Sequence, residues 1–134
     1  MIGAEVIMGS GVRVRPALDS DRAFVERTSC RLADFGPPRW RTAKEVVEAE
    51  QRTLDTFFAD PPAHTALLIA ESDTRLGFVY LETLADYFSG ERHGHVGIIA
   101  VDAAAEGKGI GRALLDAAAS WARMHGFRRL TLNV

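Results

Sequence analysis

The amino-acid sequence predicts an α/β (α+β) fold: a mostly antiparallel mixed sheet with flanking helices, in a single domain over 1–134. Three observations carry this. The element order reads β, α, α, β, β, β, α, β. The short polar segment Ser72-Asp73-Thr74 joins two apolar runs and makes them antiparallel neighbours. The last strand, helix and strand form a βαβ unit whose outer strands run parallel.

Taken in order, Val12 to Arg15 alternates apolar and basic residues ahead of Pro16 and reads as a strand. Asp19 is placed to cap a helix in which Ala23, Phe24, Cys30 or Leu32, and Phe35 recur at roughly helical spacing until Gly36-Pro37-Pro38. Thr42 and Glu45 form a capping box for a second helix carrying Val46, Ala49, Leu54, Phe57 and Phe58, closed by Asp60-Pro61-Pro62. The dense apolar runs Ala66 to Ala70, Leu76 to Leu81 and His95 to Val101 read as strands, with Ala85 to Gly94 as an exposed polar loop. Gly107 to Gly111 is a glycine-rich turn into the clearest helix. There Ile110, Leu114, Ala117, Ala118, Trp121 and Met124 share one face, opposite Arg112, Asp116, Ser120 and Arg123. Gly126 stops that helix, Phe127 folds back over its last turn, and Leu130 to Val134 is the fifth and last strand.

A chain of 134 residues, 47% of them hydrophobic, is long enough for one ordinary core without metal or disulfide staples. Its net charge of −2 supplies no general attraction for nucleic acid. The lone Cys30 has no partner for an internal bridge, which points to a reducing, cytoplasmic setting. The opening MIGAEVIMGSG is apolar but too short to span a membrane and has no basic stretch before it, so neither signal peptide nor anchor is expected.

The stretch Val101 to Leu115 is the informative one. A strand feeds a loop with glycine at 107, 109 and 111, and the loop becomes a helix. Glycines allow tight turns and leave the amides accessible, while a helix start adds unpaired N–H groups and partial positive charge. That is an anion site suited to phosphate. The P-loop pattern fails because neither Gly107-Lys108 nor Gly111-Arg112 has its context. The dinucleotide pattern fails because Leu114 stands where its third glycine belongs. The segment Glu106-Gly107-Lys108-Gly109-Ile110-Gly111 instead resembles the acetyl-CoA-binding motif of the GNAT family of N-acetyltransferases, Gln/Arg-x-x-Gly-x-Gly/Ala between a strand and a helix. Glu106 departs from that motif, placing a carboxylate near the expected diphosphate.

The resemblance implies the acyl-CoA N-acyltransferase fold, with acetyl-CoA as cosubstrate and no metal. It implies that amides of Lys108, Gly109, Ile110, Gly111 and Arg112 hold the CoA diphosphate. Main-chain groups of Ile99, Ala100 and Val101 would pair with the pantetheine arm and supply the oxyanion donor. In this family a side-chain base often lies on the strand before the loop; eleven residues before Glu106 stands His95. Strand alternation puts His95 on one face with Gly97, Ile99 and Val101, and an imidazole suits proton transfer near neutral pH. Glu82 is the alternative base or an anchor for a cationic substrate. His93 and His95 form H-x-H, but no acidic or cysteine partner stands at metal-ligand spacing. Asp86, Tyr87 and Glu91 give the acceptor rim an acidic and aromatic character that favours a small cationic amine. Phe35, Trp40 and Phe57 of the first two helices would cover the acceptor pocket.

In the family, the last strand here is followed by a short helix and a terminal hairpin, so the expectation is a domain shortened after its fifth strand. An exposed edge at Leu130 to Val134 then favours a homo-oligomer, a dimer. The expected activity is acetyl transfer from acetyl-CoA to a small-molecule or peptide primary amine by direct attack in a ternary complex. The alternative, motivated by Glu106 and the short C-terminal end, is a non-catalytic acyl-CoA-binding or regulatory domain.

Overall fold

A computed structural model describes residues 6–7, 11–31 and 42–132. Along the chain run β1 (Val6–Ile7), β2 (Arg13–Pro16), α1 (Arg22–Ser29), α2 (Ala43–Ala59), β3 (Ala66–Glu71), β4 (Arg75–Ala85), β5 (Arg92–Val101), α3 (Ile110–Met124) and β6 (Leu130–Leu132). The strands form one sheet in the order β1-β2-β3-β4-β5-β6, antiparallel throughout except for the parallel pair β5 and β6. The predicted fold class therefore holds, with helices on both faces. Val79, Leu81 and Val96 pack with Leu114, Ala118 and Trp121 of α3. Phe78, Tyr80, Ile98 and Ala100 pack on the other face with Phe24 and Val25 of α1 and Leu54 of α2. Among the described residues no helix is long and apolar enough to cross a membrane.

Local signals explain the elements that match. Thr42 Oγ1 accepts from Glu45 N at 3.1 Å while Glu45 Oε1 accepts from Thr42 N at 2.9 Å, the expected capping box. Gly126 takes φ +75° and Phe127 N–H donates back to Ala122 O at 3.0 Å, which ends α3. Met124, expected on the buried face of α3, is 54% exposed because it lies in the last turn, past the sheet.

Other expectations need correction. β1 adds a strand ahead of the predicted first one, so the sheet has six strands and Leu130–Leu132 is the sixth. The polar loop expected over Ala85 to Gly94 is shorter, residues 86–91: β4 runs to Ala85 and β5 begins at Arg92. Asp86 closes the turn between them, its Oδ2 accepting from Phe88 N, Ser89 N and Ser89 Oγ at 3.1, 2.9 and 3.0 Å. Leu32, Phe35, Gly36-Pro37-Pro38, Trp40 and Val134 lie outside the described residues.

The start of α1 rests on an ion network. Asp19 sits in a single 3₁₀ turn, Asp19–Asp21, and Asp21 takes the N-cap position of α1, its Oδ2 accepting from Leu18 N at 2.7 Å rather than from an amide of the helix. The Asp21 carboxylate is fully buried and takes two bonds from Arg15, at 2.8 and 2.9 Å, and one from Arg75 Nε at 2.6 Å. Arg15 also donates to Glu71. Burial alone would raise the Asp21 pKa; hydrogen bonds from Arg15, Leu18 N–H and Arg75 outweigh it and hold the carboxyl well below the usual carboxylate range. Because its folded pKa is depressed, Asp21 contributes stability above the ordinary carboxylate pKa, and that contribution is lost as pH falls toward the folded value. Asp21→Asn leaves Arg15 to Glu71 alone and removes the carboxylate from Arg75, and is expected to cost about 3 kcal/mol in urea unfolding at neutral pH. The loss should shrink in acid, where the wild-type carboxylate also protonates.

Candidate functional site

The glycine loop is built as an open cradle. Gly107 and Gly109 hold φ of +76° and +78°, a left-handed backbone that side chains disfavour. At Gly107, Gly109 and Gly111 no atom lies within 4 Å of where a Cβ would stand, so the space above the loop is clear. Gly109 is the N-cap of α3 and no side chain caps the helix. Ala113 N is the amide that bonds back to Gly109 O, at 3.1 Å, which leaves the amides of Ile110, Gly111 and Arg112 available to an anion. A cavity of about 320 Å³ lies over this helix start, lined among others by Ile99, Ala100, Val101, Gly109, Ile110 and Gly111. Lys108 and Arg112 do not line it: Lys108 is exposed and Arg112 pairs with Asp116 at 3.2 Å. What they offer the cradle is backbone rather than charge.

The same cavity runs along a free strand edge. β4 pairs with β5 as far as Val101, but β6 pairs only with Gly94, His95 and Val96. Beyond Val96, among the described residues, the second edge of β5 has no strand beside it. Val101 O faces that edge, where Arg31 donates to it. Since main-chain groups alternate sides along a strand, Ile99 also presents its N–H and C=O there, while those of Ala100 turn toward β4. Ala100 therefore contributes wall rather than hydrogen bonds.

The register of β5 overturns one expectation about His95. Tyr80 opposes Ile98 and Leu81 opposes Val96, so Gly97 is an extra residue, a β-bulge. The bulge reverses the alternation: Val96, Ile99 and Val101 face α3, whereas Ile98 and Ala100 face α1 and α2. A Cβ on Gly94 would meet Trp121 of α3, so its neighbour His95 points to the opposite face, away from the Ile99 and Val101 side chains. There His95 stands directly across from Glu82, which lies inside β4 rather than at its end. The two candidate catalytic residues are thus cross-strand neighbours. A Cβ on Gly97 would lie 3.1 Å from Glu82 Oε2, which places that carboxylate at the bulge.

Two groups complete the surroundings. His95 is buried, and its Nδ1 lies 2.7 Å from Thr131 Oγ1 of β6. Glu50 of α2 is half-buried; burial, and then the charge of Glu82, push its pKa up. Phe57 covers Tyr80 edge-on at 6.0 Å. The Asp86 carboxylate, expected on the acceptor rim, is taken up by its own turn and by Arg129 at 3.3 Å. Tyr87 is 91% exposed at the hairpin tip.

A sequence model of the acetyltransferase (GNAT) family matches residues 31–134. The chain belongs to the GNAT acetyltransferase family. A curated relative, mycothiol acetyltransferase of Amycolatopsis mediterranei, is 33% identical over 140 residues, covering 97% of this chain. The chain spans 43% of that relative's length. Among solved structures, a GCN5-related N-acetyltransferase from Ralstonia eutropha superposes with a TM-score of 0.70 at 19% identity, over 92% of this chain and 84% of that one. AAC(6')-Iy, solved in complex with the bisubstrate analogue CoA-S-monomethyl-acetylneamine, superposes with a TM-score of 0.68 at 18% identity, over 92% and 79%.

Within this GNAT chain, sequence reasoning missed Glu50, Thr131 and Arg31. Glu50 carried a signal: it falls midway between Val46 and Leu54 at four-residue spacing, a carboxylate on the apolar stripe of α2. Thr131 and Arg31 carried none, because their partners lie 36 residues or more away. Gly109→Ala tests the cradle. Holding alanine at that positive φ is expected to cost about 1–2 kcal/mol of stability, read as a lowered urea midpoint with an unchanged slope.

Proposed function

We propose that this chain is an N-acetyltransferase that moves acetyl from acetyl-CoA to a primary amine by direct attack in a ternary complex. The observation that carries the proposal is one cavity combining an uncapped helix start with the free edge of β5. A diphosphate fits the first by hydrogen bonds to the Gly109 to Arg112 amides, and an amide-bearing arm fits the second by strand addition along Ile99 and Val101. Acetyl-CoA supplies the activated thioester carbonyl. Main-chain N–H groups on the free edge are the donors for oxyanion charge developing there.

On the acceptor side, His95 is the proposed base. Thr131 Oγ1 stands 2.7 Å from His95 Nδ1, and the proposed base is the tautomer in which Nδ1–H donates to that hydroxyl. With that tautomer Nε2 takes one proton from the ammonium, the neutral amine nitrogen then bonds to the acetyl carbon, and as the C–S bond breaks the second amine proton passes to the departing thiolate. Glu82 and Glu50 form an acidic wall beside it, which favours an amine that arrives as a cation. The names of the relatives, one a mycothiol acetyltransferase and one bound to an acetylneamine analogue, support a small-molecule acceptor.

Calorimetry with acetyl-CoA tests the reading first, and absence of binding by folded protein removes it. Given binding, His95→Gln is expected to lower kcat on a responsive amine by about 10²–10⁴ with acetyl-CoA affinity kept. Thr131→Val is expected to lower kcat less than His95→Gln does, again with acetyl-CoA affinity kept. Binding without turnover on any amine of a broad panel favours an acyl-CoA-binding domain instead.

A further inference from the structure

Glu106 places a carboxylate on the cofactor loop, where it opposes an incoming diphosphate. The structure shows what it faces. The Arg31 guanidinium, at the end of α1, donates through Nη2 to Glu106 Oε1 and through Nη1 to Val101 O. All three residues line the cavity of the glycine loop. Among its described lining residues, Arg31 is the one cation and Glu106 the one anion. The Arg31 side chain is 19% exposed and that of Glu106 53%, so the pair sits at the cavity mouth with its cationic half turned inward.

We propose that Arg31 is a positioning residue for cofactor binding, which neutralises Glu106 and clamps the end of α1 to β5 and to the cofactor loop. The argument is one of charge and reach. Unpaired, the Glu106 carboxylate would repel a diphosphate seated on the α3 amides. Paired with Arg31, it contributes no net charge, and its remaining acceptor capacity holds the guanidinium in place. The Val101 carbonyl has two lone pairs, so Arg31 at one leaves the other for an amide donor. Two-point anchoring, on the strand and on the loop, fixes the separation of the two surfaces between which the cofactor lies. A lysine, with one compact ammonium, cannot hold both partners in the same planar fork.

This inference rests on the acetyl-CoA reading above, and a double-mutant cycle separates the two. Acetyl-CoA binding is measured by calorimetry on wild type, Arg31→Ala, Glu106→Gln and the double variant, at low and physiological salt, with circular dichroism and thermal melting to establish folding. Arg31→Ala is expected to weaken binding about tenfold, and Glu106→Gln to leave it within about threefold of wild type. The double variant should recover the electrostatic part of the Arg31→Ala loss, about half of it, the remainder reporting the lost clamp, and the Arg31→Ala loss should shrink as salt rises. Where a fitting amine is known, KM for acetyl-CoA should rise and kcat hold. Unchanged or tighter binding by folded Arg31→Ala overturns the proposal, tighter binding marking Arg31 as an obstacle to entry. Failure of Glu106→Gln to rescue overturns the neutralisation. No binding by folded wild type overturns the acetyl-CoA reading, and this inference with it.

Discussion

The arrangement of the site depends on how β5 is paired. One edge is bonded to β4 from Arg92 to Val101, while the other is shared with β6 over Gly94, His95 and Val96 alone. A strand inside a sheet ordinarily has both edges consumed, and an exposed edge carries unused donors and acceptors. Here the exposed stretch begins where the bulge at Gly97 falls. Without the bulge, His95 would share a face with the Ile99 and Val101 side chains. With it, His95 stands on the α1 and α2 face beside Glu82, and the free edge lies immediately beyond. Glycine suits the bulge because a side chain there would press on Glu82 Oε2 and on Tyr80 Cδ2, 3.1 and 3.2 Å from its Cβ.

The second constraint is how α1 is held. Eight residues are too few for a helix to persist on its own account, so its place must come from its contacts. Phe24 and Val25 bury against the sheet. The remaining anchors are ionic: Asp21 ties the start to Arg15 of β2 and Arg75 of β4, and Arg31 ties the end to Val101 and Glu106. The Asp21 network is buried and stiff, with each carboxylate oxygen bonded more than once. The Arg31 pair is half open to solvent. Asp21 and Arg31 thus hold the two ends of α1, and the second of these anchors lines the glycine-loop cavity.

Much of the fold was legible because its signals are local. The Thr42 and Glu45 box, the Ser72-Asp73-Thr74 hairpin and the run from Gly107 into α3 each depend on residues a few positions apart. β1 escaped because a strand of two residues has no periodicity to read. The outer ends of β4 and β5 escaped because Glu82 to Ala85 and Arg92 to Gly94 pair across an antiparallel ladder without the apolar alternation that marks a half-buried strand. The bulge is a property of two strands in register, and neither strand declares it alone. For the same reason the placement of His95 was not legible: it stands opposite Glu82 in the β4–β5 register, on the opposite face from the Ile99 and Val101 side chains.

The distribution of charge about the bulge gives the proposed reaction its direction. On one side, the amides at the start of α3 attract an anion, and the carboxylate of Glu106 that would spoil this attraction is held by Arg31. On the other, Glu50 and Glu82 lie close enough that the charge of Glu82 raises the pKa of Glu50. Two carboxylates brought together in partial burial are relieved by protonation or by a bound cation. An acceptor that enters as an ammonium meets the second side, and a phosphate-bearing donor meets the first. In the proposed reaction each end of the cleft would thereby disfavour the other substrate, and the two reacting groups would meet near Gly97, where the backbone edge is open and His95 is within the same strand. For the attack to proceed the ammonium must lose its proton, and the acidic wall that attracts it also disfavours that loss. The proposed base answers that requirement, and Thr131 Oγ1, 2.7 Å from His95 Nδ1, is the neighbour that would orient its imidazole.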